Sequence, residues 1–135
     1  MFVIDASVAM AWCFEDEASE ATEAALDRLG DDHAVVPAIW PLEVANVLLV
    51  AERRGRLSEA QASRFLELLA QLPIDIDDSP ADVAGIVATG RRHTLSSYDA
   101  SYLLLAERLG ASLATLDQAL TKAARKAGVQ LLIKR

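Results

Sequence analysis

Four acidic residues stand out in this sequence because of their surroundings: Glu43, Asp99, Asp5 and Asp117. Glu43 lies in the run Ile39–Ala51, which is apolar nearly all round. Glu43 and Asn46 are the only polar side chains in its first three turns, apart from the indole NH of Trp40. Their i, i+3 spacing puts both on one face of a helix. A carboxylate is rarely buried without a partner, and no Lys or Arg lies one turn away. A place near the positive end of the helix is worth only about 0.3–1 kcal/mol, too little to offset a buried, unpaired charge. Glu43 is therefore expected to face a cleft or a cation. Asp99 repeats the pattern as the one acid in the first turn of Tyr98–Ala106. Asp5 follows the apolar Phe2–Ile4, with Ser7 two residues on. Asp117 closes Leu113–Leu116, with Thr115 beside it. Taken singly, Asp5 and Asp117 read better as helix N-caps, and Asp99 equally well as a group serving a helix dipole.

The chemistry lies in the set. Two acids end strands and two begin helices. In a parallel sheet covered by helices, strand C-termini and the following helix N-termini share one edge. Two carboxylates ~5 Å apart, at an effective dielectric of ~20, repel by roughly 3 kcal/mol, so such a cluster needs protons or a metal. Hard oxygen donors without His or Cys select Mg²⁺ or Mn²⁺ over zinc, in the arrangement usual for phosphate chemistry. Other chemistries fit less well. No glycine-rich phosphate loop and no Gly-x-Ser-x-Gly elbow occurs, and Cys13 is the only cysteine. His33 follows Asp31-Asp32 in a polar turn. His93 follows Arg91-Arg92 in an expected loop, where it could touch substrate.

The elements that must carry these acids alternate along the chain. Five short apolar segments read as strands: Phe2–Ile4, Ala34–Val36, Ile74–Ile76, Ser112–Ala114 and Gln130–Ile133. Helical stretches lie between them. One runs from Ala18 or Ser19 to about Leu29, stopped by Gly30. Another has Pro41 in its first turn and runs to about Arg54. A capping box at Ser58 and Gln61 opens a helix to about Ala70. Ser79-Pro80 is expected to open a helix to about Thr89. Ser96 or Ser97 opens one that ends at Gly110, and Asp117 opens the last, ending near Gly128. Strands separated by helices predict an α/β three-layer sandwich: a parallel sheet of about five strands flanked by helices. The 135 residues read as a single domain.

The chain is just over half hydrophobic with few aromatics, as expected of a folded, helix-rich protein. No apolar run reaches the ~18 residues of a membrane span, and no signal peptide is evident, so a cytoplasmic location is expected. The net charge of −7 argues against coating nucleic acid by bulk electrostatics. The charge is uneven, however. Residues 1–90 hold 17 acids and 5 bases, and residues 91–135 hold 3 acids and 8 bases. Arg91, Arg92, Lys122, Arg125 and Lys126 in the basic part are candidates for phosphate contacts. Equally, they could simply decorate exposed helix faces.

Val3–Ala9 with Trp12 following resembles the opening of PIN-domain proteins of the VapC toxin type. Pro41–Leu48 is similar to their second motif, Leu95–Tyr102 to the third and Leu113–Asp117 to the fourth. The four motifs occur in order over essentially the whole chain. The resemblance implies a PIN fold and the toxin of a type II toxin–antitoxin pair, a ribonuclease using Mg²⁺ with Mn²⁺ as a substitute. It implies that Asp5 and Asp99 bind the metal most directly and that Glu43 and Asp117 are the other acidic positions. Ser7, Asn46 and Thr115 match polar positions that support the acids or their waters. Where some relatives carry a further acid one turn after the fourth, this chain has Thr121.

The expected reaction is metal-assisted phosphodiester hydrolysis, with water attacking in line and leaving a 5′-phosphate and a 3′-hydroxyl. The resemblance also implies a VapB-type antitoxin partner, expected to lay an amphipathic or extended segment in an apolar groove. A homodimer is implied too. One alternative is a housekeeping PIN nuclease of RNA processing with the same chemistry. An alternative of another class is a receiver-like phosphoryl-transfer module, in which an acidic cluster holds Mg²⁺ and one Asp accepts phosphate.

Overall fold

The computed structural model describes residues 1–133. Four three-residue strands form one parallel sheet: β1 (Phe2–Ile4), β2 (Ala34–Val36), β3 (Ile74–Ile76) and β4 (Ser112–Ala114), in the order β3-β2-β1-β4. Seven α-helices flank it: α1 (Ala6–Cys13), α2 (Glu20–Arg28), α3 (Trp40–Arg53), α4 (Glu59–Gln71), α5 (Val83–His93), α6 (Ser97–Leu109) and α7 (Gln118–Ala127). Alternate residues of a strand point to opposite faces. All three β1 residues are fully buried, so both faces of the sheet centre are covered. This is the expected three-layer α/β sandwich. Among the described residues, no helix is long and apolar enough to cross a membrane.

The fifth expected strand, Gln130–Ile133, is reduced to a single parallel bridge, Leu113 to Leu131. The Leu113 N–H donates to the Gln130 carbonyl, and the Leu113 carbonyl accepts from Leu132 N–H, both at 2.9 Å. In a strand, successive residues turn their backbone groups to opposite sides. A three-residue β4 paired to β1 through its ends has only Leu113 left for its outer edge. Among the described residues the sheet proper therefore has four strands, one fewer than expected.

Two helix boundaries also differ from expectation. The helix expected to open at Ser79-Pro80 begins at Val83, capped by Asp82, whose carboxylate accepts from Gly85 N–H at 2.9 Å. Ser79 instead turns its hydroxyl to Asp77 at 3.3 Å. At its other end α5 runs through Gly90 to His93, so His93 occupies a last turn rather than a loop. A Cβ at position 90 would meet the Leu95 carbonyl oxygen at 3.0 Å, and Leu95 N–H bonds to the Gly90 carbonyl at that same distance. The bare glycine lets the chain fold back tightly. Thr94, left-handed at φ 54°, turns the corner, and Ser96 caps α6 three residues after α5 ends. The basic last turn of α5 is thereby held beside the first turn of α6.

The helix α3 is not buried all round. Trp40, Val44, Leu48 and Ala51 form its buried stripe, while Leu42 is 67% and Leu49 48% exposed. Hydrophobicity on every side hid the fact that only one stripe faces the core.

The sheet order fixes where a site can form. From β1 the chain moves outward through β2 to β3, then returns to pair β4 on the other side of β1. The carboxyl ends of β1 and β4 thus flank a topological switch point, where open parallel sheets hold their ligands.

Candidate active site

The strand register brings Asp5 and Thr115 side by side. Ile4 pairs with Ala114, and Asp5 N–H extends the ladder to the Ala114 carbonyl at 3.1 Å. Asp5 is also the N-cap of α1, accepting from Val8 N–H at 3.3 Å. Its carboxylate is 5% exposed. One oxygen accepts from the Ser7 hydroxyl at 2.5 Å, the other from the Thr115 hydroxyl. These hydroxyls are themselves held by backbone. Ser7 Oγ accepts from Leu116 N–H and Thr115 Oγ1 from Asp117 N–H, each at 3.0 Å. Burial pushes the Asp5 carboxyl up to about 6 against these hydrogen bonds, and the charge of Asp99 adds to the rise.

Asp117 caps α7, accepting from Leu120 N–H at 2.8 Å. Thr121, where some relatives carry a further acid, is buried and donates to the Asp117 carbonyl at 2.7 Å. Its hydroxyl is committed inside the helix. Asp99 is half-buried in the first turn of α6, its backbone N–H tied to Ser96 Oγ at 3.1 Å. Burial raises its carboxyl above the usual carboxylate range, and the nearby charges of Asp117 and Glu43 raise it further. Asp99 therefore lies within electrostatic reach of the other three acids.

Glu43, in the first turn of α3, accepts a hydrogen bond from the Tyr102 hydroxyl. Tyr102 is 1% exposed on α6, three residues after Asp99. Burial pushes its phenol far above the ordinary range. The bond to Glu43 and the charges of Glu43, Asp5 and Asp99 act in the same direction. Sequence reasoning misses Tyr102, which reads as one more core aromatic in an apolar helix. A signal was there: a buried tyrosine hydroxyl needs a partner, and this one lies one turn from an acid.

The structure thus brings together Asp5, Glu43, Asp99 and Asp117, with Ser7 and Thr115 bonded into the cluster. Asn46 is exposed on α3, and among the described residues no hydrogen bond joins it to the acids. The basic candidates divide. Arg91 and Arg92 are exposed in the last turn of α5, next to the start of α6. Lys122 is exposed midway along α7. Arg125 and Lys126 lie in its last turn, about 12–14 Å along the helix axis from Asp117 at 1.5 Å per residue.

None of the four acids forms an ion pair with a Lys, Arg or His among the described residues. The donor set is all oxygen, which suits Mg²⁺ or Mn²⁺. Among the described residues no three acidic, His or Cys side chains stand close enough to cage a bare ion.

Comparison with known proteins gives a consistent picture. The family model for the PIN domain matches residues 2–126. A ribonuclease VapC3 of Pyrobaculum aerophilum is 34% identical over 122 residues, 89% of this chain and 92% of that protein. A ribonuclease VapC3 of Mycobacterium tuberculosis is 35% identical over 105 residues, 78% of this chain and 75% of that one. Among solved structures, PAE2754 of Pyrobaculum aerophilum superposes with a TM-score of 0.67 at 24% identity, covering 90% of this chain and 84% of its own. A toxin–antitoxin complex from Klebsiella pneumoniae matches over the full length of both chains at a TM-score of 0.67 and 18% identity. The structural likenesses bear on the fold, and the sequence relatives on the family.

Proposed function

The chain belongs to the VapC ribonucleases of the PIN-domain family, and we propose that it hydrolyses RNA phosphodiester bonds with Mg²⁺, or Mn²⁺ in its place, as the toxin of a type II toxin–antitoxin pair. The observation that carries this reading is the convergence of Asp5, Glu43, Asp99 and Asp117 at the β1/β4 switch point with no cationic side chain paired to them among the described residues. Four acids that repel one another at a sheet edge call for a cation.

Asp5 and Asp99 would hold the ion most directly, with Glu43 and Asp117 close enough to take its waters. Bound there, a divalent ion orients the scissile phosphate and lowers the pKa of a water. The chain's own groups do the rest. Ser7 and Thr115 keep the Asp5 carboxylate in one orientation through donors that are anchored on the backbone. Glu43 or Asp117 would position the attacking water, whose proton passes to solvent. The water oxygen bonds to phosphorus as the bond to the 3′-oxygen breaks, and that 3′-oxygen takes up a proton from solvent to leave as a 3′-hydroxyl. Arg91 and Arg92, beside the first turn of α6, would meet flanking phosphates. Attack by water does not need the substrate 2′-hydroxyl, so a preference for RNA must come from the shape of the strand.

The partner proposed for the cell is a VapB-type antitoxin that covers this edge, and the working form is a cytoplasmic homodimer. The test is expression of the wild type and of Asp5→Ala in cells, followed by mapping of RNA 5′ ends. New 5′-phosphate ends and growth arrest are expected with the wild type alone. Equal cleavage by Asp5→Ala would overturn the reading.

A further inference from the structure

We propose that Tyr102 is a positioning residue, whose hydroxyl holds one oxygen of Glu43 so that the other is presented to a divalent ion beside Asp99. The inference rests on the metal-dependent reading of the acid cluster and adds to it the group that sets the cluster's spacing.

Glu43 is half-buried, and its side chain has three rotatable bonds. Among the described residues, the bond from Tyr102 is the one hydrogen bond that the Glu43 carboxylate makes. Without it the carboxylate would have to be ordered when the ion arrives, at a cost in rotamer entropy. Tyr102 itself has no such freedom, because its ring is packed in the core at 1% exposure. It stands on the same helix as Asp99, one turn along, so the two share a face of α6. A rigid helix thus carries one metal-binding acid directly and grips a second acid, from α3, through the phenol. The relation between Glu43 and Asp99 is set by the packing of α3 and by this one bond from α6.

The bond also has a purely structural reading, in which Glu43 merely satisfies a buried hydroxyl. Removing the hydroxyl distinguishes the two readings. If Tyr102 positions Glu43, the loss appears in metal affinity and depends on the Glu43 carboxylate. If it is structural, the loss appears in stability, whatever stands at position 43.

Titration calorimetry with Mn²⁺ on the full chain separates them, using the wild type, Tyr102→Phe, Glu43→Gln and the double variant. Loss of a partner that orients a metal ligand typically weakens binding about 10–100-fold. That loss is expected for Tyr102→Phe in the wild-type background, shrinking to less than about twofold when Glu43→Gln is already present. Mn²⁺ affinity within about twofold of wild type in Tyr102→Phe would overturn the proposal. So would an equal loss in both backgrounds, or a wild type that binds no Mn²⁺. If Tyr102→Phe does not fold, Tyr102→Met takes its place, since it also removes the hydroxyl and leaves the Glu43 carboxylate intact. The same loss is expected there, and affinity within twofold of wild type again overturns the proposal. RNA cleavage is measured in parallel. A wild type that shows the coupled Mn²⁺ losses yet cuts no RNA supports the role of Tyr102 while removing the ribonuclease reading.

Discussion

Thr115 donates its hydroxyl to Asp5 and, through the same oxygen, accepts the backbone N–H of Asp117 at 3.0 Å. A single buried oxygen therefore ties the acid at the end of β1 to the acid that opens α7. Thr115→Val keeps the shape and removes both bonds. It leaves a buried carboxylate oxygen and a backbone N–H short of a partner, at a cost of about 1–3 kcal/mol. Urea unfolding should show that loss, and RNA cleavage at saturating Mg²⁺ should fall about 10–100-fold. A Thr115→Ser variant, which keeps the hydroxyl, should recover most of the rate.

Asp5 gives the metal-free protein an inverted pH response. Its folded carboxyl titrates at about 6 against an ordinary value of 3.8, chiefly because it is buried. The folded state therefore holds this proton more tightly than the unfolded chain does. Its contribution to stability is greatest below pH 3.8 and is lost as the pH rises through 6, by about 3 kcal/mol in all. With EDTA present, the protein should be more stable to urea near pH 5 than at pH 7.5. Asp5→Asn should flatten this slope. Asp32, whose carboxyl is held down at about 2 chiefly by the N-terminal ammonium, acts only at lower pH and with the opposite sign.

The basic residues should separate in their dependence on salt. Each contact to a single-stranded phosphate contributes about 0.7 to the slope of log affinity against log salt. Removing both Arg91 and Arg92 should weaken RNA binding by a catalytically inert Asp99→Asn protein and lower that slope by more than one. Lys126→Ala, at the far end of α7, should leave both unchanged. Fluorescence anisotropy with a labelled RNA at several salt concentrations decides between them.

Thr94 sits at φ 54°, the one non-glycine residue with a positive φ among those described. A β-branched side chain is costly in that region. Thr94→Gly should stabilise the fold by about 1 kcal/mol, read as a higher urea midpoint with an unchanged m-value. A loss of stability instead would show that the Thr94 side chain makes contacts worth more than the strain.

Much of this was legible in the chain itself. The first four strands fall on the expected residues because each is a short apolar run bounded by polar or turn residues. The capping box at Ser58 and Gln61 marks its helix correctly. The acids at strand ends and helix starts meet because chain direction in a parallel sheet leaves them no other edge. What was not legible depends on contacts from afar. The start of α5 passed from Ser79 to Asp82, since several residues in that stretch can cap and only the packed chain chooses. The reduction of Gln130–Ile133 to one bridge reflects how few outward groups β4 offers. Tyr102 looked like core because it is core, and only its partner 59 residues away gives its hydroxyl a purpose.

The register of β1 against β4 has a consequence for folding. Ile4 lies opposite Ala114, so Asp5 meets a hydroxyl. Slipping that pairing by one residue would set the carboxylate against Ala114 or Leu116 and turn every neighbouring side chain to the wrong layer. Apolar packing alone discriminates poorly among short runs of Val, Ile, Leu and Ala. A buried charge that finds its donors in a single alignment acts as a proofreader, so the carboxylate proposed for catalysis also rejects misaligned sheets.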